Sequence, residues 1–274
     1  MDLNLITSTR FDPEHIVDGS CYWFLQYHLD RLRDAAERHG WDDAKRSLTM
    51  DDLDLECERA ISEFIDSDRA TPFKIRVLLS QSGVLSATAS KTRQISPTSH
   101  PSTSPLFTFI PLTSDPSPYS PYVQLYLDTQ PTPPSIFTQT KTTNRRHYDD
   151  ARSRAGLPRL TTSSASVTSS SSSAGKGSPN GSPIDMDVIL YTPSNLLMES
   201  SIRNIALFRN NRWVTPSTTS TGCLPGVMRR YFLEQGKIFE ADDAEIRTQD
   251  LKEDEWVVVF NGVEGVRLGR VARL

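Results

Sequence analysis

The chain has 274 residues and a mass of 30.7 kDa, enough for one large or two medium domains, and its mean hydropathy of -0.43 with 36% hydrophobic residues points to packed cores joined by polar filler. A net charge of -4 and a pI near 5.8 argue against a nucleic-acid-gripping protein, and no apolar run approaches the roughly 20 residues of a membrane span. Cys21, Cys57 and Cys223 are too few and too scattered for a disulfide framework or a zinc site, and the N-terminal MDLNLITSTRFDPEH reads as no secretory signal, so a reducing, cytoplasmic setting is expected.

LNLITSTRF alternates as a strand does. A helix is predicted over 23–39, with Leu25, Leu29, Leu32 and Ala36 on one side and Gly40 as its left-handed stop. A second helix is predicted over 50–65. Thr49 with Asp52 resembles a capping box, and Leu53, Cys57, Ala60, Ile61 and Phe64 form the inner stripe. FKIRVLLSQSGVLSATA reads as a hairpin turning at Ser82–Gly83. The Pro-, Ser- and Thr-rich stretch 95–135 contains two apolar islands, LFTFI and YVQLYL, that are expected as strands. Further on, MDVILY, RNIALF, RWVTP and WVVVF read as strands, the middle two turning at Asn210–Asn211. Pro225–Gln235 reads as a helix ended by Gly236. Residues 161–183, TTSSASVTSSSSSAGKGSPNGSP, cannot bury a core and are expected to be disordered. The division expected is a small N-terminal α/β domain over 1–120, a linker over 121–135 and a second domain over 136–274.

Three segments carry candidate chemistry. Lys141 opens KTTNRRHYDDAR; its bland reading is a solvated lysine at a helix start, and it can be a nucleophile only if burial or a neighbouring cation lowers its pKa. Glu199 opens ESSIRNIALF, where the bland reading is a strand-edge carboxylate paired with Arg203. In GCLPGVMRR, Pro225 and Gly226 open a helix, which leaves the amides of Val227 and Met228 in its unsatisfied first turn, a ready anion site.

In this order the segments resemble the fold-type IV pyridoxal phosphate enzymes, the class IV aminotransferase family, and within it the 4-amino-4-deoxychorismate lyases. KTTNR with Tyr148 and the following Ala-Arg resembles the Schiff-base lysine block. LMESSIRNIALF resembles the strand whose glutamate faces the pyridine nitrogen, with Asn204 matching the family asparagine. LPGVMRR resembles the phosphate-binding helix start, and YHLDRL the HxxRL helix, which puts Arg31 on the phosphate. VFNGVEGVRLGRV resembles the loop that closes the site. The Ser-rich stretch accounts for the long separation of Lys141 from Glu199, since a surface loop tolerates insertion at little entropic cost.

The resemblance implies two α/β domains, the second a pseudo-barrel, with pyridoxal 5'-phosphate between them. It implies Lys141 as the lysine that holds the cofactor, Glu199 at the ring nitrogen, and Arg31, Val227, Met228 and Asn204 as further cofactor ligands. The lyase pattern has a threonine where Ser8 stands, so Ser8 is the expected donor to the leaving group. Two departures stand out: the family's glutamate ahead of the first-strand arginine is lost, leaving Thr7-Ser8-Thr9-Arg10, and Gly262 replaces a hydroxyl residue, leaving only a backbone amide there. The implied activity is conversion of aminodeoxychorismate to 4-aminobenzoate and pyruvate for folate synthesis, by a homodimer. A branched-chain or D-amino-acid transaminase and a non-catalytic scaffold are the alternatives; the KxxN spacing from Lys141 to Asn144 tilts toward the lyase. Arg10, Arg229 and Arg267 are candidate substrate-carboxylate ligands. GKGS at 175–178 lacks the glycine spacing of a phosphate loop, the five histidines have no metal-ligand spacing, His28 reads as a structural partner of Arg31, and RNNR and RHYDDARSR read as solvated faces.

Overall fold

A computed structural model describes residues 2–65, 70–160 and 185–272. The first half builds a three-stranded antiparallel sheet, β1 (Leu5–Phe11), β2 (Phe73–Leu79) and β3 (Leu85–Lys91), in that order. Helices α1 (Leu25–Arg38), α2 (Asp42–Ser47) and α3 (Met50–Ile65) cover one face. Their inner stripes, Leu29 and Leu32 from α1 and Leu53, Cys57 and Ile61 from α3, are buried against Leu5, Ile75, Val77 and Leu79. Each such aliphatic side chain contributes about 1.5–3 kcal/mol on burial. Thr49 Oγ1 accepts the Asp52 amide at 3.1 Å, which caps α3 as expected. The short helix α2 has no apolar period long enough to be read from sequence.

Side chains alternate across a strand, so the register of β1 with β2 sorts the other face as well. Ile6, Ser8 and Arg10 lie opposite Leu78, Arg76 and Lys74. This polar face looks away from the helices.

The stretch 97–121 forms 3-10 turns. LFTFI, expected as a strand, is instead entered by a 3-10 turn over Pro105–Thr108 that tucks Leu106 and Phe109 into a core with Phe232 and Phe260. The proline has no amide to offer a sheet ladder. Within residues 121–135, expected as a linker, YVQLYL forms the expected strand, β4 (Val123–Leu127), which lies in the interior of the large sheet. Its parallel pairing to distant strands leaves no local turn signal.

The remaining elements are α4 (Ile136–Gln139), α5 (Arg146–Arg154), β5 (Met186–Tyr191), β6 (Leu197–Ser200), β7 (Asn204–Arg209), β8 (Arg212–Thr215), α6 (Thr218–Thr221), α7 (Val227–Glu234), β9 (Phe239–Glu240), β10 (Trp256–Asn261) and β11 (Gly265–Val271). The eight-stranded sheet runs β6-β5-β4-β11-β10-β7-β8-β9. Val257, Val258 and Val259 on β10 are fully buried, as a central strand covered on both faces must be. β6 and β7 stand far apart in this order yet are joined by only three residues, with the Ser200 amide donating to the Arg203 carbonyl at 2.8 Å. The sheet therefore curls into a half-barrel. Asn210 and Asn211, at φ 50° and 62°, make the β7–β8 turn where the sequence places it. The Ser-rich stretch 161–183, with GKGS, lies outside the described residues. Among the described residues no helix is long and apolar enough to cross a membrane.

Candidate active site

Lys141 does not begin a helix. The Ile6 amide donates to its carbonyl at 2.8 Å and the Thr143 amide donates to the Asn4 carbonyl at 2.9 Å, so residues 141–143 extend the small sheet past β1. Ser135 and Thr138 form a capping box on α4 just before it. Asn144 Oδ1 accepts the Arg146 amide at 3.4 Å just after it, where α5 starts. Thr142 and Asn144 thus serve the turn, and Lys141 is held between the two sheets. The side chain is half-buried, and among the described residues Nζ has neither hydrogen bond nor ion pair. Burial, then Arg31, Arg145 and Lys74, hold its ammonium well below the usual range; Glu199 opposes them. A lowered ammonium pKa leaves more of the free amine, the form that acts as a nucleophile.

Glu199 is 3% exposed on β6. It does not pair with Arg203, which instead binds Asp187 at 3.0 Å, Asp185 at 3.0 Å and Glu264 at 2.7 Å. Glu199 Oε1 accepts from the Tyr148 hydroxyl at 2.6 Å and the Leu224 amide at 3.0 Å; Oε2 accepts from Asn204 Nδ2 at 3.1 Å. Burial raises its pKa to about 7, while the Tyr148 hydroxyl, the Leu224 amide, Arg145 and Lys141 pull the other way. Asn204 Nδ2 also donates to the Leu224 carbonyl at 2.9 Å, which ties the carboxylate to the turn that enters α7. RHYDDARSR is correspondingly not a solvated face: Tyr148, Ala151 and Arg152 are buried, and Arg154 pairs with the buried Asp128 at 2.6 Å. RNNR is solvated at its tip, where Asn210 and Asn211 are exposed, while Arg209 pairs with Glu255 and Arg212 with Glu245 at 3.3 Å.

A second constellation surrounds the start of α7. Gly226 caps this helix with no side-chain bond, and among the described residues the Val227 and Met228 amides donate to no protein acceptor. A Cβ at position 226 would lie 1.9 Å from Asn204 Oδ1, so only glycine fits. Arg31, on α1, is nine-tenths buried. Its Nη2 donates to Thr7 Oγ1 at 2.5 Å, its Nε has no partner, and no described carboxylate pairs with it. Burial lowers its pKa to about 10. A buried cation without an anion is costly, and it makes chemical sense as half of a pair whose other half is a ligand. A cavity of about 130 Å³ lies beside it, lined among others by Arg31, Arg38, Thr140, Pro225, Val227 and Arg230.

The two departures in the motifs also gather here. Thr7 Oγ1 lies 2.5 Å from His28 Nδ1, so Thr7 joins His28 and Arg31 in one buried polar group. A Cβ on Gly262 would lie 2.9 Å from Val227 Cγ2 and 3.4 Å from His28 Cε1, so this glycine makes room for the helix start, and a hydroxyl residue would crowd it.

Ser8 is 7% exposed, on the polar face of β1, two residues beyond the Ile6 amide that binds the Lys141 carbonyl. The three arginines expected to bind substrate carboxylates are already committed. Arg10 binds Asp12 at 2.7 Å and the Val263 and Arg93 carbonyls; Arg229 binds the Pro216 carbonyl and Glu240; Arg267 binds Asp185 and the Pro121 carbonyl. Sequence reading missed Lys74 and Arg76, which share the face of Ser8; Arg145, near Lys141 in sequence, places its guanidinium 4.9 Å from the Tyr148 ring centre. The signal was present in the two-residue spacing of Lys74 and Arg76 within FKIRVLL. Among the described residues no cluster of His, Cys, Asp or Glu could hold a metal ion.

Comparison with known proteins matches residues 183–270 to the amino-transferase class IV family model. The aminodeoxychorismate lyase of Saccharomyces cerevisiae is 35% identical over 150 residues, 53% of this chain and 36% of that protein. A putative aminodeoxychorismate lyase of Schizosaccharomyces pombe is 40% identical over 83 residues, 30% of this chain and 36% of that protein. The chain thus spans about a third of the length of these curated relatives in the matched regions. A putative amino-acid aminotransferase from Mesorhizobium loti superimposes with a TM-score of 0.63 at 21% identity, covering 99% of this chain and 100% of that one. The family resemblance read from the motifs and the α/β fold class are both borne out, and the half-barrel is the fold of these aminotransferase-like proteins.

Proposed function

We propose that the protein is a pyridoxal 5'-phosphate-dependent 4-amino-4-deoxychorismate lyase, releasing 4-aminobenzoate and pyruvate. The observation that carries the reading is the convergence of an unpartnered, partly buried lysine, a buried carboxylate and a buried arginine without a carboxylate. These three groups suit a ligand bearing an aldehyde, a basic ring nitrogen and a phosphate. The residues fit that cofactor. Arg31 and the amides of Val227 and Met228 would hold the phosphate, Glu199 with Asn204 would hold the ring, and Lys141 would hold the aldehyde carbon; Gly262 would offer its backbone at the closing loop. The bound cofactor supplies an electron sink.

The chain's own residues then divide the work. Lys141 Nζ, whose ammonium is disfavoured by burial and by Arg31, Arg145 and Lys74, takes the proton from the amine-bearing ring carbon of the substrate. Ser8 Oγ donates to the ether oxygen as its carbon–oxygen bond breaks and the enolpyruvyl group leaves. Glu199 keeps a proton on the ring nitrogen. Lys74, Arg76 and Arg145 surround this space with positive charge, which suits a substrate with two carboxylates; burial first, then repulsion from Arg145, lowers the pKa of Lys74 and Arg76. The reading includes a homodimer in the cytoplasm; its support is the family resemblance and three unpaired cysteines.

The test is pyruvate release from aminodeoxychorismate with cofactor present and no keto acid added. Sustained release is expected, because elimination leaves nothing for an acceptor to restore. Turnover that stalls until a keto acid arrives would replace the lyase by a transaminase, and failure to develop a borohydride-sensitive absorption band would remove the cofactor.

A further inference from the structure

Three donors converge on Glu199. Two of them, the Leu224 amide and the Asn204 carboxamide, belong to the strand and turn that lead into α7. The third comes from a separate element: Tyr148 on α5 makes the shortest contact, 2.6 Å. We propose that Tyr148 is a positioning residue that sets the ionisation of Glu199, keeping the carboxylate charged and oriented for the cofactor's ring nitrogen. The proposal rests on the cofactor reading above.

The geometry makes the phenol an obligate donor. Tyr148 is 7% exposed. Burial and the neighbouring Glu199 push its pKa well above the usual phenol, so it stays protonated across the working range. Its ring cannot swing away. The Arg145 guanidinium packs 4.9 Å from the ring centre and donates to the Ser201 carbonyl at 2.9 Å, which pins α5 to the end of β6. An ionised carboxylate offers about four acceptor sites. Tyr148 and Leu224 take two on Oε1 and Asn204 takes one on Oε2, which leaves capacity on Oε2 for one more N–H donor.

The titratable groups that face Glu199 are Tyr148, Arg145, Lys141 and Cys223. Arg145 and Lys141 act through space, and the Cys223 thiol is itself pushed up to about 12 by burial and by Glu199. Tyr148 is the one side chain of this set that bonds the carboxylate directly. Without its hydroxyl, Oε1 would keep a single donor in a buried site, and the neutral acid would gain.

The test measures the Glu199 midpoint directly. Protein labelled with carbon-13 glutamate is titrated by NMR with and without pyridoxal 5'-phosphate, and the Glu199 signal is assigned by its loss in Glu199→Gln. Tyr148→Phe keeps the ring over Arg145 and removes only the hydroxyl; the midpoint should rise by about one pH unit, the worth of one hydrogen bond to a charged group. Site-specific 3-fluorotyrosine at position 148 is a stronger donor, and the midpoint should fall. Opposite shifts support the proposal. No shift in either protein, or shifts of the same sign, would overturn it and leave Tyr148 with a packing role read as a lower melting temperature. Failure of the unmutated protein to take up the cofactor would defeat the cofactor reading instead, and the cofactor-free titration still decides whether Tyr148 tunes Glu199.

Discussion

Replacing Arg31 by methionine should make the cofactor-free protein more stable, not less. Arg31 is nine-tenths buried, and no described carboxylate pairs with it. Burial lowers its pKa from the ordinary arginine value to about 10. For a base, a lowered folded pKa means that the charged form is penalised by folding, and the penalty is present in full at every pH below about 10. The shift corresponds to a cost of about 3 kcal/mol at neutral pH. Methionine removes that cost and keeps the apolar stem, but it forfeits the charge-assisted hydrogen bond to Thr7, worth about 2 kcal/mol. The net is a gain of about 1 kcal/mol, or roughly 3 °C in melting temperature for a protein of this size. The same change should abolish stabilisation by phosphate-bearing ligands, which in the unmutated protein should grow logarithmically with concentration. The assay is thermal unfolding of both proteins across a series of inorganic phosphate and pyridoxal 5'-phosphate concentrations. A variant that melts several degrees lower without ligand, yet responds to phosphate as the unmutated protein does, would refute the assignment of Arg31 as a cation held for an anionic ligand.

Lys141→Ala should bind cofactor without a borohydride-sensitive band and lose nearly all pyruvate release; a retained band would move the assignment to another amine. Gly226→Ala forces a Cβ to 1.9 Å from Asn204 Oδ1, so Asn204 must leave Glu199. A loss of about 2 kcal/mol in stability and a weaker cofactor affinity are expected, and an unaltered melting curve would show that the turn yields freely. Ser8→Ala should lower kcat by about 10²-fold with little change in cofactor affinity, the lower range for a positioned proton donor; unchanged turnover would remove Ser8 from the reaction.

Local chemistry determined what could be read from sequence. The α1 and α3 stripes, the Thr49 cap, the turns at Gly83 and at Asn210–Asn211, and the buried run of β10 each depend on residues within a few positions of one another. The order of the motifs around Lys141, Glu199 and Val227 was legible for the same reason, because each motif is a short contiguous segment. Partnership across the fold was not legible. YVQLYL was legible as a strand, but its place in the interior of the large sheet depends on β5 and β11, whose pairing to it is parallel and distant in sequence. Arg203 was free on paper to pair with Glu199, and only the curl of the sheet gives it Asp185, Asp187 and Glu264 instead. Arg10, Arg229 and Arg267 looked equally available, and tertiary contacts occupy all three. What the sequence cannot carry by itself is which charge meets which. Ion pairs and parallel ladders join residues far apart along the chain, and their free energy exists only once the intervening loops have closed.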